Sequence, residues 1–504
     1  MRFRIPALLL LLASVLASAT LRADEGMWTF DNPPVKQLQE RYGFTPTQAW
    51  LDHVRLASVR FNDGGSGSFI SPNGLILTNH HVAVGQLQKL STAGKDLVSL
   101  GFYAKDFGAE LKCPDLELNI LQSMEDVTDR VRSVVKPGMS ELDALKARKA
   151  EIARIEKESL DKTGLRSNVV SLYHDGEFWL YRYKKYTDVR LVMAPERQAA
   201  YFGGDYDNFT YPRYDLDMAF FRAYENDKPV KSPQYLKWNS KGADDGELVF
   251  VSGNPGSTDR LFTYDQLEFL RDVSYPMILK MIDWRIRILR DYGKQGQEQE
   301  RQALIEIFGY ENAKKAYNGE YQGLLDEQLM AERKKQEADF RAKIGANPEW
   351  QKQFGGAWDT IKTLTTKRAQ VAKPRFYRGL FTRSDLTQLA RTLVFYVIET
   401  KKPDGDRLDG YHESDLDALR FQLFSPAPLY PEMEKAVVAG MLKLAIEELG
   451  PDDPFLKAIL NGQTPQQLAS QVIGQTKLTD PALRKSLAEG GEAAVRKSAD
   501  PLVQ

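Results

Sequence analysis

The chain has 504 residues, a length that predicts two to four domains. It carries 68 Lys and Arg residues against 69 Asp and Glu residues, so its formal net charge is −1. This balance excludes the strongly basic or acidic chain typical of proteins that bind nucleic acid or an anionic membrane, and a hydrophobic content of 42% allows a sizeable core.

The N-terminus has the features of a secretion signal. Two arginines precede an apolar run over residues 8–16, and small residues follow, so that cleavage is predicted after Ala19 or after Ala23. No later stretch is apolar enough for a membrane helix, so we expect a periplasmic or secreted protein without a membrane anchor after signal cleavage. Cys113 is the only cysteine. A single cysteine excludes an intrachain disulfide and a thiolate metal cluster. A secreted protein without disulfides fits the bacterial periplasm, and Cys113 itself is predicted to lie in the core.

A predicted β-hairpin delivers a histidine. The β-prone runs 68–71 and 75–78 flank a Pro-Asn-Gly turn at 72–74, where proline presets φ and glycine tolerates a positive φ. His80 and His81 follow the second run. On an extended strand adjacent side chains point to opposite faces, which makes the two a poor chelate for a metal. A chymotrypsin-like barrel presents its general base at this place, and the Thr-Asn-His-His sequence favours His81.

From about residue 61 to 260 the predicted elements are mostly strands, including a hairpin around residues 174–176 and a strand at 189–193. One helix interrupts them, with Ser140 as its predicted cap and Gly164 as its predicted end. The predicted buried face of this helix consists of Leu142, Leu145, Ile152 and Ile155.

The pattern changes near residue 262. Apolar residues then recur at intervals of three and four, as on a buried helix face. The first such face consists of Ile278, Ile282, Ile286 and Leu289. We therefore predict three parts: a signal peptide at 1–23, a β-rich domain at 24–261, and an α-helical domain at 262–504.

A second candidate for catalysis is an aspartate at the start of a strand. Asp217 stands in a segment like the one that carries the triad aspartate of chymotrypsin-like folds, and Asp215 is the runner-up. The structural alternative is a carboxylate that pairs with Arg213 or Arg222. A serine nucleophile is harder to find. Ser257 is the one tempting candidate, but no glycine follows it and too little chain separates it from Asp217 for a second barrel.

Three segments together resemble the bacterial dipeptidyl-peptidase 7 and 11 family of serine exopeptidases. They are GSGSFISPNGLILTNHHV, KKYTDVRLVMAPERQAAYFGGDYDNFTYPRYDLDMAFFRAYENDKPV and VSGNPGSTDR. The resemblance extends from about Glu25 to the last residue. It implies an α+β multidomain fold: a chymotrypsin-like double β-barrel with an α-helical cap domain inserted between its halves. It also implies release of dipeptides from the free N-terminus of peptides.

The resemblance implies site residues as well. His81 would be the general base and Asp217 the residue that orients it. Asn208 and Phe209 would bind the α-ammonium group of the substrate, although the family more often has Trp at the second position. The helical domain would add a further asparagine, for which Asn312 is the best match and Asn318 the alternative. An ammonium ion taken out of water needs several such acceptors.

The chain departs from the family pattern in one respect. No Gly-Asn-Ser-Gly or Gly-Asp-Ser-Gly sequence occurs in the 504 residues. The expectation is therefore a C-terminally truncated peptidase chain that lacks the catalytic serine, the oxyanion hole and the second barrel half, and is inactive as given. The alternative is a secreted, non-catalytic binder of peptide N-termini. Either hypothesis implies peptide partners, with no metal, cofactor, nucleic acid or membrane, and leaves a homodimer open.

Overall fold

The computed structural model describes residues 26–62, 64–256 and 259–504. The predicted signal peptide at 1–23 and the candidate nucleophile Ser257 lie outside the described residues. A large antiparallel sheet is followed by a long series of helices. The α+β class predicted from the sequence is therefore confirmed.

The sheet has eleven strands among the described residues. They are β1 Ser58–Phe61, β2 Ser66–Phe69, β3 Leu75–Thr78, β4 Phe102–Tyr103, β5 Leu111–Lys112, β6 Leu118–Asp126, β7 Arg166–Leu172, β8 Glu177–Tyr186, β9 Asp188–Ala194, β10 Ala219–Glu225 and β11 Lys228–Pro229. The strand order is β4-β9-β10-β3-β2-β1-β6-β8-β7, with β11 paired to β10 and β5 paired to β9. The finer prediction of a chymotrypsin-like barrel, and the domain boundaries at 24–261 and 262–504, stay predictions.

The helices fall before, within and after the sheet segments. Those up to the last strand are α1 Val35–Tyr42, α2 Gln48–Ala57, α3 His80–Leu90, α4 Leu97–Leu100, α5 Thr128–Ser133 and α6 Glu141–Thr163. Those after the sheet are α7 Tyr264–Phe269, α8 Tyr275–Gly293, α9 Gln297–Leu325, α10 Glu327–Gly345, α11 Pro348–Phe354, α12 Ala357–Arg378, α13 Asp385–Glu399, α14 Leu416–Leu423, α15 Pro431–Leu449, α16 Pro454–Leu460, α17 Pro465–Val472 and α18 Pro481–Lys497. A π-helical turn at Leu270–Ser274 joins α7 to α8.

The hairpin predicted before His81 is present. β2 and β3 pair antiparallel, with Phe69 opposite Ile76, and Gly74 takes a φ of 69° in the turn between them. The amide of Ile70 donates to the carbonyl of Leu75 at 2.9 Å and closes the turn. Local turn chemistry was therefore sufficient to predict this element.

Helix α6 begins and ends where its sequence signals place it. The Ser140 hydroxyl accepts from the Asp143 amide at 3.2 Å, and Gly164 takes the left-handed conformation at the C-terminus. The predicted buried face is only half right. Ile155 is buried and Ile152 packs beside it, whereas Leu142 and Leu145 are exposed because the first turn of the helix buries Ala144 instead.

Two main cores hold the described residues together. Side chains such as Phe61, Ile76 and Phe221 fill the core of the sheet, and Cys113 is fully buried among them, as predicted. The core of the helical region includes the predicted face of α8, of which Ile282, Ile286 and Leu289 are buried and Ile278 is partly buried. Burial of each large aliphatic side chain contributes about 1.5–3 kcal/mol.

Polar contacts join the sheet region to the helices that follow it. The Ser425 hydroxyl donates to Asp115 at 2.9 Å, and the Gln88 amide donates to the carbonyl of Arg301 at 3.0 Å. The Ser414 hydroxyl donates to Glu156 of α6 at 3.0 Å. In the described part of the chain, no helix combines the length and apolarity needed to cross a membrane.

Candidate active site

His81 lies just beyond the hairpin, in the first turn of α3. β3 ends at Thr78, Asn79 is extended, and α3 begins at His80. The expectation that both histidines stand on an extended strand is therefore wrong, because the apolar side chains of Val84 and Leu87 bury one face of a helix here. Successive helical side chains are about 100° apart, so the two rings still diverge.

Strand pairing brings Asp217 to the same place. β10 pairs with β3 so that Ala219 lies opposite Thr78. Asp217 precedes β10 by two residues and His81 follows β3 by three, so both lie at the same end of this strand pair. A separation of 136 residues along the chain is thereby reduced to direct contact.

Several hydrogen bonds fix the Asp217 carboxylate. The Nδ1 of His81 lies 2.7 Å from Oδ2, and the backbone amide of His81 donates to Oδ1 at 3.0 Å. The side-chain amide of Asn79 donates to carboxylate Oδ2 at 3.3 Å and to the backbone carbonyl of Asp217 at 3.0 Å. This arrangement favours the ring tautomer with its hydrogen on Nδ1, which leaves Nε2 free to accept a proton.

The charge of Asp217 is stabilised at neutral pH. Burial raises the pKa of this carboxyl, but hydrogen bonds from the His81 ring and backbone, together with the positive charge of Arg213, outweigh burial, so the pKa is lowered. The side chain of His81 is 33% exposed and that of Asp217 is 12% exposed. The pair therefore combines a buried carboxylate with a ring that solvent or a ligand can reach.

His80 has a different environment. It is almost fully buried, and desolvation lowers its pKa, while the negative charge of Asp217 and a hydrogen bond to the Pro195 backbone oppose that shift. The ring is accordingly neutral near pH 7. Its contacts are those of a packed structural residue, whereas His81 holds the contact with Asp217.

Asp215 contacts Arg213. Its Oδ2 lies 2.8 Å from a guanidinium nitrogen of Arg213, and its side chain is 4% exposed. Burial raises the pKa of Asp215 to about 6, and Arg213 counters that rise. The ion pair considered as the structural alternative for this segment is thus present, while Arg222 pairs instead with Glu110 at 2.9 Å.

Asn208 and Asn312, two of the three residues predicted to bind an ammonium group, contact each other between the β9–β10 loop and helix α9. The Nδ2 of Asn208 donates to the Oδ1 of Asn312 on α9 at 2.9 Å. Asn208 is buried and Asn312 is partly buried. Asn318, the alternative, lies six residues further along the same helix and is exposed.

Phe209 projects into solvent. It is 65% exposed and takes a φ of 66°, which is uncommon for a residue other than glycine. Phe209 is therefore not a core residue. An exposed aromatic ring is a suitable wall for a cation, because the face of the ring attracts positive charge.

Comparison with known proteins agrees with this geometry. The family profile described as Peptidase S46 matches residues 23–504. The chain belongs to the peptidase S46 family. A relative from Shewanella putrefaciens, an Asp/Glu-specific dipeptidyl-peptidase, is 28% identical, with 97% of this chain and 69% of the relative aligned. The dipeptidyl-peptidase 7 of Capnocytophaga gingivalis is 27% identical over 82% of this chain and 61% of its own length. The resemblance inferred from the three motifs is confirmed.

Solved structures show the same fold as this S46 family member. Porphyromonas endodontalis DPP11 in complex with the dipeptide Arg-Glu superposes with a TM-score of 0.70 and 21% identity. The superposition covers 95% of this chain and 72% of that chain. Among curated relatives, this S46 chain spans 61% of the Capnocytophaga protein and 52% of the dipeptidyl-peptidase 7 of Phocaeicola vulgatus.

The sequence did not reveal what holds the loop between β9 and β10. The side chain of Lys315 on α9 donates to the carbonyl of Asp205, and Gly203 approaches the backbone of Phe308 so closely that a Cβ would lie 2.5 Å from its oxygen. The ring of Phe202 stacks on His81. Only the aromatic and glycine content of Tyr-Phe-Gly-Gly-Asp indicated a special conformation.

Within the described ranges, no three His, Cys, Asp or Glu residues are grouped to hold a metal ion.

Proposed function

We propose that this S46 family member provides the base and the substrate-anchoring residues of a serine-type dipeptidyl-peptidase. The observation that carries the proposal is the 2.7 Å contact between His81 Nδ1 and Asp217 Oδ2. An imidazole oriented by a buried carboxylate, with its second nitrogen free, is the arrangement that activates a hydroxyl nucleophile. The barrel architecture and the periplasmic location implied by the resemblance belong to the same proposal.

The proposed chemistry is a proton shuttle. His81 Nε2 takes the proton of a serine hydroxyl as the oxygen attacks the peptide carbonyl, and the Asp217 carboxylate stabilises the imidazolium. The imidazolium then gives the proton to the amine that leaves. A water molecule next takes the place of the serine hydroxyl in the same proton transfers, and its attack on the carbonyl carbon releases the dipeptide. As the resemblance implies, the proposal assigns the hydroxyl to a serine in a Gly-Asn-Ser-Gly segment, a sequence that does not occur in these 504 residues.

The proposed substrate is a peptide with a free N-terminus. Amide oxygens of Asn208 and Asn312 would accept hydrogen bonds from its α-ammonium group, and the Phe209 ring would face the positive charge. Because these groups belong to the β9–β10 loop and to α9, the ammonium would sit at a fixed distance from His81. A fixed distance between anchor and base would make the released fragment a dipeptide, which is what the names of the two relatives describe.

Replacement of Asn312 by alanine tests the anchor. In the protein expressed from the complete gene, we expect Asn312→Ala to raise KM for a free-N-terminus peptide about 10- to 100-fold, because a hydrogen bond to a charged group contributes about 1.5–3 kcal/mol. Asn318→Ala, on the exposed face of the same helix, is the matched control and should leave KM unchanged. A rise in KM with Asn318→Ala alone would assign the anchor to the alternative residue, and no rise with either would reject it.

A further inference from the structure

Arg213 lies in the loop between β9 and β10 and is surrounded by carboxylates. One guanidinium nitrogen lies 2.9 Å from Asp205 Oδ2 and 2.8 Å from Asp215 Oδ2. The other lies 3.9 Å from Asp217 Oδ2, within ion-pair distance. All three acid side chains are at most 12% exposed. Without the guanidinium, these three largely desolvated carboxylates would repel one another.

Phe202 connects the same guanidinium to the base. The Phe202 ring stacks on the His81 ring with a centroid distance of 4.3 Å and an interplanar angle of 14°. The guanidinium carbon of Arg213 lies 5.6 Å from the Phe202 centroid, within the range of a cation–π contact. Arg213 therefore contacts both groups that flank His81, the carboxylate at Nδ1 and the aromatic ring against its face.

The network continues into the substrate anchor. Asp205, which pairs with Arg213, has its carbonyl bound by Lys315 of α9, and Asn208 three residues later donates to Asn312 of the same helix. The loop that carries Arg213 is thus attached to α9 by two polar contacts. Arg213 stands between this attachment and the His81–Asp217 pair.

The acid–base behaviour of the cluster agrees with this position. Burial raises the pKa of Asp215 to about 6, and the positive charge of Arg213 limits that rise while Asp217 adds to it. Burial also raises the pKa of Asp217, but the His81 hydrogen bonds and the charge of Arg213 reverse the effect. Removing the guanidinium should therefore raise the pKa of both carboxyls.

We propose that Arg213 is a positioning residue for the peptidase reaction: it holds the Asp217 carboxylate and the Phe202 ring where they orient His81. The inference rests on the proposed function, which supplies the reaction that His81 serves. Arg213 touches neither substrate nor reacting atoms in this arrangement. It acts through Asp217 and Phe202, so its removal should affect turnover more than substrate binding.

The test compares Arg213→Gln and Arg213→Lys in the protein expressed from the complete gene. We expect Arg213→Gln to lower kcat about 100-fold with little change in KM, since a misplaced catalytic group costs about that factor. The acid limb of the kcat–pH profile should move to higher pH, because Asp217 is protonated more easily without the cation. Arg213→Lys should recover part of kcat, since it restores the charge but not the planar fork.

Arg190→Gln is the matched control. Arg190 has a similar exposure, pairs with Asp188 and Asp227, and lies opposite Arg222, three residues along β10 from the end that adjoins His81. It should leave kcat and the pH profile unchanged. If Arg213 has a purely structural role, Arg213→Gln and Arg213→Lys would both lower the thermal stability of the protein. The acid limb of the kcat–pH profile would then stay where it is.

A spectroscopic readout separates this inference from the proposed function. The hydrogen between His81 Nδ1 and Asp217 should give a low-field proton resonance in the 504-residue chain, absent from His81→Ala. Loss of that resonance in Arg213→Gln, with recovery in Arg213→Lys, supports positioning even in a chain that releases no dipeptide. An unchanged resonance together with an unchanged pH profile in a folded Arg213→Gln protein overturns the inference while leaving the proposed function intact.

Discussion

His81→Ala is expected to lower kcat for dipeptide release about 10⁶-fold, because removal of the general base from such a unit abolishes almost all of its catalysis. The His81 ring is partly exposed, and among the described residues it stacks on one aromatic ring, that of Phe202. Loss of the His81 ring should therefore leave the fold intact. The measurement is the initial rate on a chromogenic dipeptidyl substrate, with circular dichroism to check folding.

Two other histidines make this experiment selective. His174→Asn is the control, since His174 lies in an exposed turn with a φ of 53°, which asparagine tolerates, and the rate should not change. His80→Gln should retain most of the rate, because glutamine, like the His80 ring, can donate to the Pro195 backbone. A loss confined to His80→Gln, with full activity in His81→Ala, would refute the assignment of the base.

Asp217→Asn should lower kcat about 10⁴-fold while the substrate still binds. An asparagine oxygen can accept from the backbone amide of His81, so the loop should keep its shape. Its neutral side chain cannot stabilise an imidazolium, and its NH₂ group facing Nδ1 would favour the wrong ring tautomer. The measurement is kcat and KM on the same dipeptidyl substrate used for His81→Ala.

Asp215→Asn provides the contrast for this second experiment. Asp215 is two residues away and its side chain is 4% exposed, against 12% for Asp217, but it pairs with Arg213 at 2.8 Å. We expect a loss of about tenfold or less, transmitted through the arginine. Equal losses in the two variants would show that the carboxylates act as one charged cluster, and an unchanged rate in Asp217→Asn would reject the orienting role.

Local signals in the sequence predicted much of the scaffold. The turn at 72–74, the serine cap of α6 and the apolar face of α8 depend on neighbours a few residues away, and each was placed correctly. The family resemblance rather than periodicity singled out Asn208 and Asn312. Their contact spans 104 residues, a distance over which propensity carries no information.

The surroundings of His81 could not be predicted for the same reason. The strand–helix boundary at Asn79 depends on packing of α3 against the sheet, and the loop after β9 depends on Lys315 and Phe308 of α9. The sequence indicates Arg213 only as an ion-pair partner for a nearby acid. Its position among Asp205, Asp215 and Asp217 arises from the folded path of a segment without regular structure.

Mass spectrometry of the products from one peptide, supplied with a free and with an acetylated N-terminus, tests the assembly of base and anchor as a whole. For the protein expressed from the complete gene, we expect successive dipeptides from the free form and no cleavage of the acetylated form. Single amino acids, internal fragments or equal cleavage of both forms would contradict a dipeptidyl-peptidase. Tight binding of the free peptide without any product would instead favour the non-catalytic binder.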